Sequence, residues 1–154
     1  MAYHPSVDAL WKRYRANNPN APEDPPAVFH FCDNEADANA CAELVRLGIK
    51  RATAPCLPEL QLASEPVPQV GDLAVITQWS GHAIAIIRTS AVDIKRFADV
   101  DSVFAEREGE GDKSLECWRK AHEEYYKRVL SGTEYQFSDD LMIACESFET
   151  VMCA

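Results

Sequence analysis

Gly48-Ile49-Lys50-Arg51-Ala52-Thr53 is the stretch around which the rest of the chain can be interpreted. The residues before it place apolar side chains at helical spacing between positions 38 and 45, behind a candidate N-cap at Asp33 or Asn34. The glycine of the stretch is placed to end that helix in a left-handed turn. We therefore expect the lysine and the threonine to lie on irregular backbone directly after a helix.

Length and composition predict one compact unit. A chain of 154 residues with 47% apolar content can bury a core that needs no disulfide or metal. Within it, residues 1–27 are expected to form an N-terminal helix and a wrapping loop. The loop, from about Asn17 to Pro26, contains four of the nine prolines. Residues 28–154 are expected to form the main domain.

The six cysteines are scattered and none forms a C-x-x-C pair. This spacing predicts free thiols in a reducing cytoplasm and neither a metal site nor a cofactor. No signal peptide or long apolar run is recognised, so no membrane association is expected. No feature of the sequence predicts an oligomeric state.

The formal net charge of −10 argues against a protein that grips a long phosphate backbone through lysine and arginine. A small ligand is easier to accommodate. A local basic pocket around Lys50 and Arg51 could still exist inside an acidic surface.

The pattern of strands favours an α+β fold built on a small mixed β-barrel with flanking helices. Residues 73–79 and 82–88 form the clearest hairpin signal, with Ser80-Gly81 between them. A closing segment, 141–152, is apolar on both faces at its start, which suits an inner barrel strand. The order of elements does not alternate strand and helix, so a doubly wound parallel sheet is not expected.

A second informative stretch spans residues 103–114, where two glycines stand among acidic residues. It is expected to be a flexible acidic loop, with Ser114 capping a helix that runs to about residue 131. Trp118 and Tyr125 on this helix are interpreted as core residues. His122 on the same stripe is interpreted as a satisfied core histidine without a role in the site.

Four features in this order resemble the ASCH domain, a relative of the PUA RNA-binding barrel. They are the lysine and threonine after a helix, Gly71-Asp72 before a strand, the Ala105–Glu108 run and the apolar last strand. The resemblance covers about residues 29–151. It implies a five- or six-stranded barrel and an association with RNA or nucleosides. Some members are small amidohydrolases that deacylate N4-acylated cytidines with a lysine, a threonine and a glutamate.

The resemblance assigns the catalytic roles to Lys50, Thr53 and Glu108, with Glu110 as the alternative acid. The residues expected to contact a nucleoside substrate are Arg51, Glu110, Ser114 and Trp79. The acyl group, and the choice between a free nucleoside and RNA, are left open.

The chemistry of amide cleavage requires a nucleophile, a base and a proton donor for the departing nitrogen. We expect enclosure in an apolar cleft to lower the pKa of Lys50 so that its neutral amine serves as the base, with direct attack by the amine ranked second. Two alternatives stay open. One is cleavage of single-stranded RNA, with the lysine stabilising phosphate charge; the other is a non-catalytic RNA-binding module.

Overall fold

The computed structural model describes residues 2–154 and has the mixed α+β architecture that the sequence predicts. The helices are α1 (Pro5–Asn17), α2 (Glu35–Arg46), α3 (Leu57–Leu62), α4 (Ser102–Glu108) and α5 (Leu115–Leu130), with a short 3-10 turn at Phe97–Asp99. The strands are β1 (Ala27–Phe29), β2 (Ala52–Thr53), β3 (Leu73–Thr77), β4 (Ala83–Arg96) and β5 (Met142–Cys153). Among the described residues, no helix is long and apolar enough to cross a membrane.

The five strands form one open sheet in the order β1-β3-β4-β5-β2. β1 pairs in parallel with β3, and the other pairs are antiparallel. The predicted closed barrel is wrong, because the strands at the two edges have only three and two residues. Such short edge strands are too short to pair with each other and close the sheet. Their shortness also leaves little unpaired sheet edge exposed.

The predicted hairpin is confirmed as β3 and β4, but β4 continues for 14 residues. It pairs with β5 along most of its length, and two shifts of register bend this long ribbon. Ile143 and Ala144 of β5 are fully buried. The continuous apolar run therefore belongs to an interior strand of an open sheet, between β4 and β2.

Helices cover both faces of the sheet. Successive residues of β4 point to opposite faces, so Ile86 packs in a cluster with Leu10 of α1 while Ile87 packs in a cluster with Val45 of α2. A third cluster lies under α5, where the buried side chain of Tyr126 packs with residues of β2, α4 and β5. This third cluster supports the site described below.

The end of α2 positions Lys50. The N-cap of the helix is Asn34, whose side-chain oxygen accepts a hydrogen bond from the Asp37 amide at 2.9 Å. Gly48 has a φ of +74°, which confirms the predicted left-handed turn. The Lys50 amide then donates to the Leu44 carbonyl at 3.1 Å, which fixes the backbone where the lysine side chain turns inward.

The prediction of a flexible loop at residues 103–114 is wrong for the first half of this stretch, which forms α4. Asp101 caps this helix by accepting from the Phe104 amide at 2.9 Å, and Gly109 ends it with a φ of +72°. A Cβ added at Gly109 would lie 2.7 Å from the Ile49 carbonyl oxygen, so the end of α4 packs directly on the Gly48–Thr53 segment. The sequence analysis did not predict this helix because two turns are too few to show a helical periodicity. Its ends are set by its capping residues.

A backbone hydrogen bond of 2.7 Å from the Arg51 amide to the Arg107 carbonyl ties these two segments together. Ser114 caps α5 as predicted, accepting from the Cys117 amide at 3.1 Å. These contacts bring the lysine after α2, the glutamate at the end of α4 and the first turns of α5 to one place.

Candidate active site

Lys50 lies at the centre of the candidate site. The residue is only 1% exposed, yet its ammonium nitrogen contacts two carboxylates, Glu108 Oε1 at 2.9 Å and Glu110 Oε2 at 3.0 Å. A third neighbour, the backbone carbonyl of Glu108, lies at a long 3.4 Å. An ammonium group has three N–H donors, so two are firmly engaged and the third is weakly held.

Glu108 is buried as deeply as the lysine, with 2% of the residue exposed. Its Oε2 faces His122 Nε2 at 2.7 Å and accepts a hydrogen bond from the indole N–H of Trp118. The carboxylate is therefore surrounded by three donors from three positions in the chain. A buried charge needs such partners to avoid a large desolvation cost.

The electrostatics of Lys50 and Glu108 contradict the expectation that Lys50 is neutral. Burial by itself lowers the pKa of Lys50, but the negative charges of Glu108 and Glu110 more than reverse this and hold the pKa above its ordinary value. Burial likewise acts to raise the pKa of Glu108, and Lys50 and His122 overcome it, so that the pKa lies well below its ordinary value. Lys50 is thus a buried cation and not a base at neutral pH.

His122 is the site residue that the sequence analysis missed. Its Nδ1 lies 2.9 Å from the Trp118 carbonyl, and its Nε2 faces the Glu108 carboxylate. Both partners accept hydrogen bonds, so both ring nitrogens are placed to carry protons. Burial lowers the pKa of His122, but Glu108 outweighs that effect and raises the pKa above its usual value.

The signal for His122 was present in its spacing. It lies one helical turn after Trp118, and the two rings stack with centroids 4.1 Å apart. What the sequence could not supply was the position of Glu108 against that turn.

Glu110 differs from Glu108 in its exposure and its second partner. Its side chain is 36% exposed, and its Oε1 accepts a hydrogen bond of 3.1 Å from the Cys41 thiol. The neighbouring Cys32 sulfur and burial raise the pKa of Cys41, so this thiol stays protonated and donates. Both glutamates that the resemblance offered therefore contact Lys50, one buried and one reachable from solvent.

A cavity of about 370 Å³ opens over this cluster. Its size lies within the range of small-molecule sites. The carboxylates that line it are Asp33, Asp37, Glu59, Glu108, Glu110 and Glu124, and the lining Lys and Arg residues are Lys50 and Arg128. Arg128 is itself paired with Asp33 at 2.9 Å. The cavity therefore carries a surplus of negative charge, contrary to the expected basic pocket.

The other expected site residues divide into two groups. Thr53 lines the cavity from the edge strand β2. Arg51, Ser114 and Trp79 lie outside its lining. Arg51 is exposed, and Trp79 is 43% exposed with its ring against His30, a cavity residue, at a centroid distance of 4.8 Å.

The fold and the cavity define an α+β domain in which an open five-stranded sheet carries an enclosed lysine–carboxylate cluster beside a pocket of ligand size. A family model for the ASCH domain matches residues 27–152, and the chain belongs to this family. The expected membership of the ASCH family is thereby confirmed.

Solved structures that are similar to this one include the following two. The ASCH domain from Lactobacillus crispatus JV V101 is 30% identical, with a TM-score of 0.85 over 98% of this chain and 97% of that chain. A protein from Enterococcus faecalis V583 is 29% identical, with a TM-score of 0.86 over 96% of this chain and 89% of that chain. None of the curated proteins compared with this chain matches it.

Proposed function

We propose that this protein is a hydrolase that removes the acyl group from N4-acylated cytidine or a related nucleoside. The observation that carries the proposal is the buried Lys50 cation, held between Glu108 and Glu110 at the wall of a pocket that is open to solvent. A positive charge that is buried and fixed in place suits a reaction that develops negative charge on a carbonyl oxygen.

Lys50 is assigned to the acyl carbonyl oxygen. Its third N–H, which now makes only the 3.4 Å contact to the Glu108 carbonyl, is free to turn to the substrate. This donor strengthens as the oxygen becomes an oxyanion, which favours the transition state over the bound substrate. Glu108 is a positioning residue in this scheme, since it keeps Lys50 charged and in place.

Glu110 is assigned to proton transfer, because its carboxylate is reachable from the cavity whereas that of Glu108 is surrounded by donors. Water attacks the acyl carbon, its oxygen forms the new C–O bond, and Glu110 takes the released proton. The same proton passes to N4 as the C–N bond breaks, which gives cytidine and the free carboxylic acid. Thr53, on the cavity wall, is assigned to hold the attacking water.

The charge of the cavity supports a substrate without phosphate. Six carboxylates line the cavity, against Lys50, Arg128 and His122, each of which is already paired with a carboxylate. A phosphodiester would have to enter against this charge, so ribonuclease activity and tight RNA binding are the less favoured alternatives.

The test is to incubate the purified protein with N4-acetylcytidine and to measure cytidine and acetate by chromatography. A parallel reaction contains single-stranded RNA and is analysed on a gel, and RNA binding is measured at two salt concentrations. Release of equal amounts of cytidine and acetate, with intact RNA, supports the proposal. An inactive but folded protein, or RNA cleavage that disappears in Lys50→Ala, overturns it.

A further inference from the structure

Two cysteines lie side by side next to the candidate site, although their spacing in the sequence matches no metal-binding motif. The sulfurs of Cys32 and Cys41 lie 3.4 Å apart, and Cys41 also contacts Glu110 Oε1 at 3.1 Å. The three ligand atoms lie within 4.8 Å of one another. Cys32 has a φ of +66°, a left-handed conformation that a cysteine rarely adopts, and this brings its side chain to the cavity wall.

We propose that Cys32, Cys41 and Glu110 bind a thiophilic divalent cation, Zn²⁺ in the first instance, with its fourth coordination position open to the cavity. Cysteine thiolates and carboxylate oxygens are both Zn²⁺ ligands, and three protein ligands with one open position make a tetrahedral site. The sequence spacing of the cysteines gave no indication of this site, because α2 folds Cys41 back onto the turn that holds Cys32.

The distance between the Cys32 and Cys41 sulfurs is closer to that of a metal site than to that of a disulfide. Tetrahedral Zn²⁺ with Zn–S bonds of about 2.3 Å separates two sulfurs by about 3.8 Å, so the pair needs to open by only ~0.4 Å. A disulfide would need the same sulfurs to close to about 2.05 Å. Metal binding is therefore the smaller movement from the observed separation of 3.4 Å.

The charge balance also favours a divalent cation. Binding exchanges two thiol protons for one Zn²⁺, so the net charge of the cluster is unchanged and the ion pairs of Lys50 are not opposed by new charge. Glu110 turns Oε1 to Cys41 and Oε2 to Lys50, so it can ligate the metal through one oxygen and keep the lysine on the other. The proton transfer assigned to Glu110 above belongs to the metal-free protein, because a metal on Oε1 and the lysine on Oε2 would occupy both oxygens. The second group of neighbouring ligand atoms, Glu108, Glu110 and His122, is already filled by the Lys50 ammonium.

The experiment is a calorimetric titration of the full chain with Zn²⁺ in the presence of a non-thiol reductant, repeated in two buffers of different ionisation enthalpy. One Zn²⁺ per chain and the release of about two protons are expected. Co²⁺ serves as a spectroscopic probe, because a thiolate-to-cobalt charge-transfer band reports sulfur ligation.

The Cys32→Ser variant should bind Zn²⁺ at least about 10–100-fold more weakly, since even the loss of an outer-shell partner has an effect of that size. It should also lose the cobalt band. Cys153→Ser, which changes an exposed cysteine, is the matched control and should bind as wild type does. Circular dichroism checks that both variants are folded, and Cys32 is only half-buried, so its replacement leaves the core intact.

Unchanged Zn²⁺ binding in Cys32→Ser overturns the proposal, as does binding that is lost in Cys153→Ser. So does a site that requires His122 but not Cys32. Because no substrate takes part, these results are independent of whether the protein proves to be a hydrolase.

Discussion

Replacing Lys50 with methionine tests the buried ion pairs directly, because it removes the charge and keeps most of the side-chain volume. The variant leaves Glu108 and Glu110 without their shared cation, one of them 2% exposed. Removing one partner of a buried pair costs about 3–5 kcal/mol of unfolding free energy, since the remaining charge stays desolvated. For a domain of this size, that loss corresponds to a fall in Tm of roughly 6–20 °C.

The same variant should show a distinctive pH dependence. In the wild type the pKa of Glu108 is lowered, so its contribution to stability is present above the unfolded-state pKa of about 4.3 and is lost as pH falls through the folded-state value. Without Lys50, one of the two carboxylates takes up a proton more readily in the folded state. The destabilisation relative to wild type should therefore be smaller at pH 5 than at pH 7.

The assay is urea denaturation followed by circular dichroism at both pH values. The control is Lys127→Met, which breaks an exposed ion pair of 2.9 Å with Glu123 and should cost no more than about 0.5 kcal/mol. A double variant, Lys50→Met with Glu108→Gln, removes the orphaned charge and should recover part of the loss. A loss below about 1 kcal/mol in Lys50→Met, independent of pH, would refute the reasoning.

Three further predictions follow from the same structure. Gly109→Ala should cost more than Gly132→Ala by at least about 1 kcal/mol in urea denaturation, because both glycines have positive φ but only the first would press a Cβ onto the Ile49 carbonyl; equal losses would contradict the packing of α4. At pH 6, below the ordinary histidine pKa of about 6.5, His122 should show two protonated ring nitrogens by NMR, and the stability that it contributes should fall as pH rises through its raised pKa, a decline that His122→Gln should abolish. Finally, N4-acetylcytidine 5′-monophosphate should have a lower kcat/KM than the nucleoside, with the difference shrinking in high salt; a preference for the nucleotide would contradict the acidic cavity.

Local signals in the sequence were sufficient for the elements that hold Lys50. The helix spacing, the cap at Asn34, the turn at Gly48 and the hairpin all depend on neighbours within a few residues, and each is confirmed. The closed barrel failed because closure depends on the lengths of the edge strands, and Ala52–Thr53 is too short to show a strand signal.

The site was predictable only in part for a related reason. Residue types and the family resemblance pointed to Lys50 and to both glutamates, but the charge state of Lys50 depends on how many carboxylates surround it. That number is set by contacts such as the one between Arg51 and Arg107, which join segments more than 50 positions apart in the chain. Local periodicity carries no information about such contacts, and the role of His122 was missed for this reason.

The most direct measurement of the central claim is kcat/KM for N4-acetylcytidine at pH 7, compared between wild type, Lys50→Met and Lys127→Met, with the folded fraction of each verified. Loss of a charged donor to a developing oxyanion should reduce the rate by about 10²–10³-fold in Lys50→Met and leave Lys127→Met unchanged. Glu108→Gln provides a second variant if Lys50→Met folds poorly, and it too should be slow, because the charge that holds the lysine in place is gone. A wild-type protein without turnover, or a folded Lys50→Met variant as fast as wild type, would contradict the account.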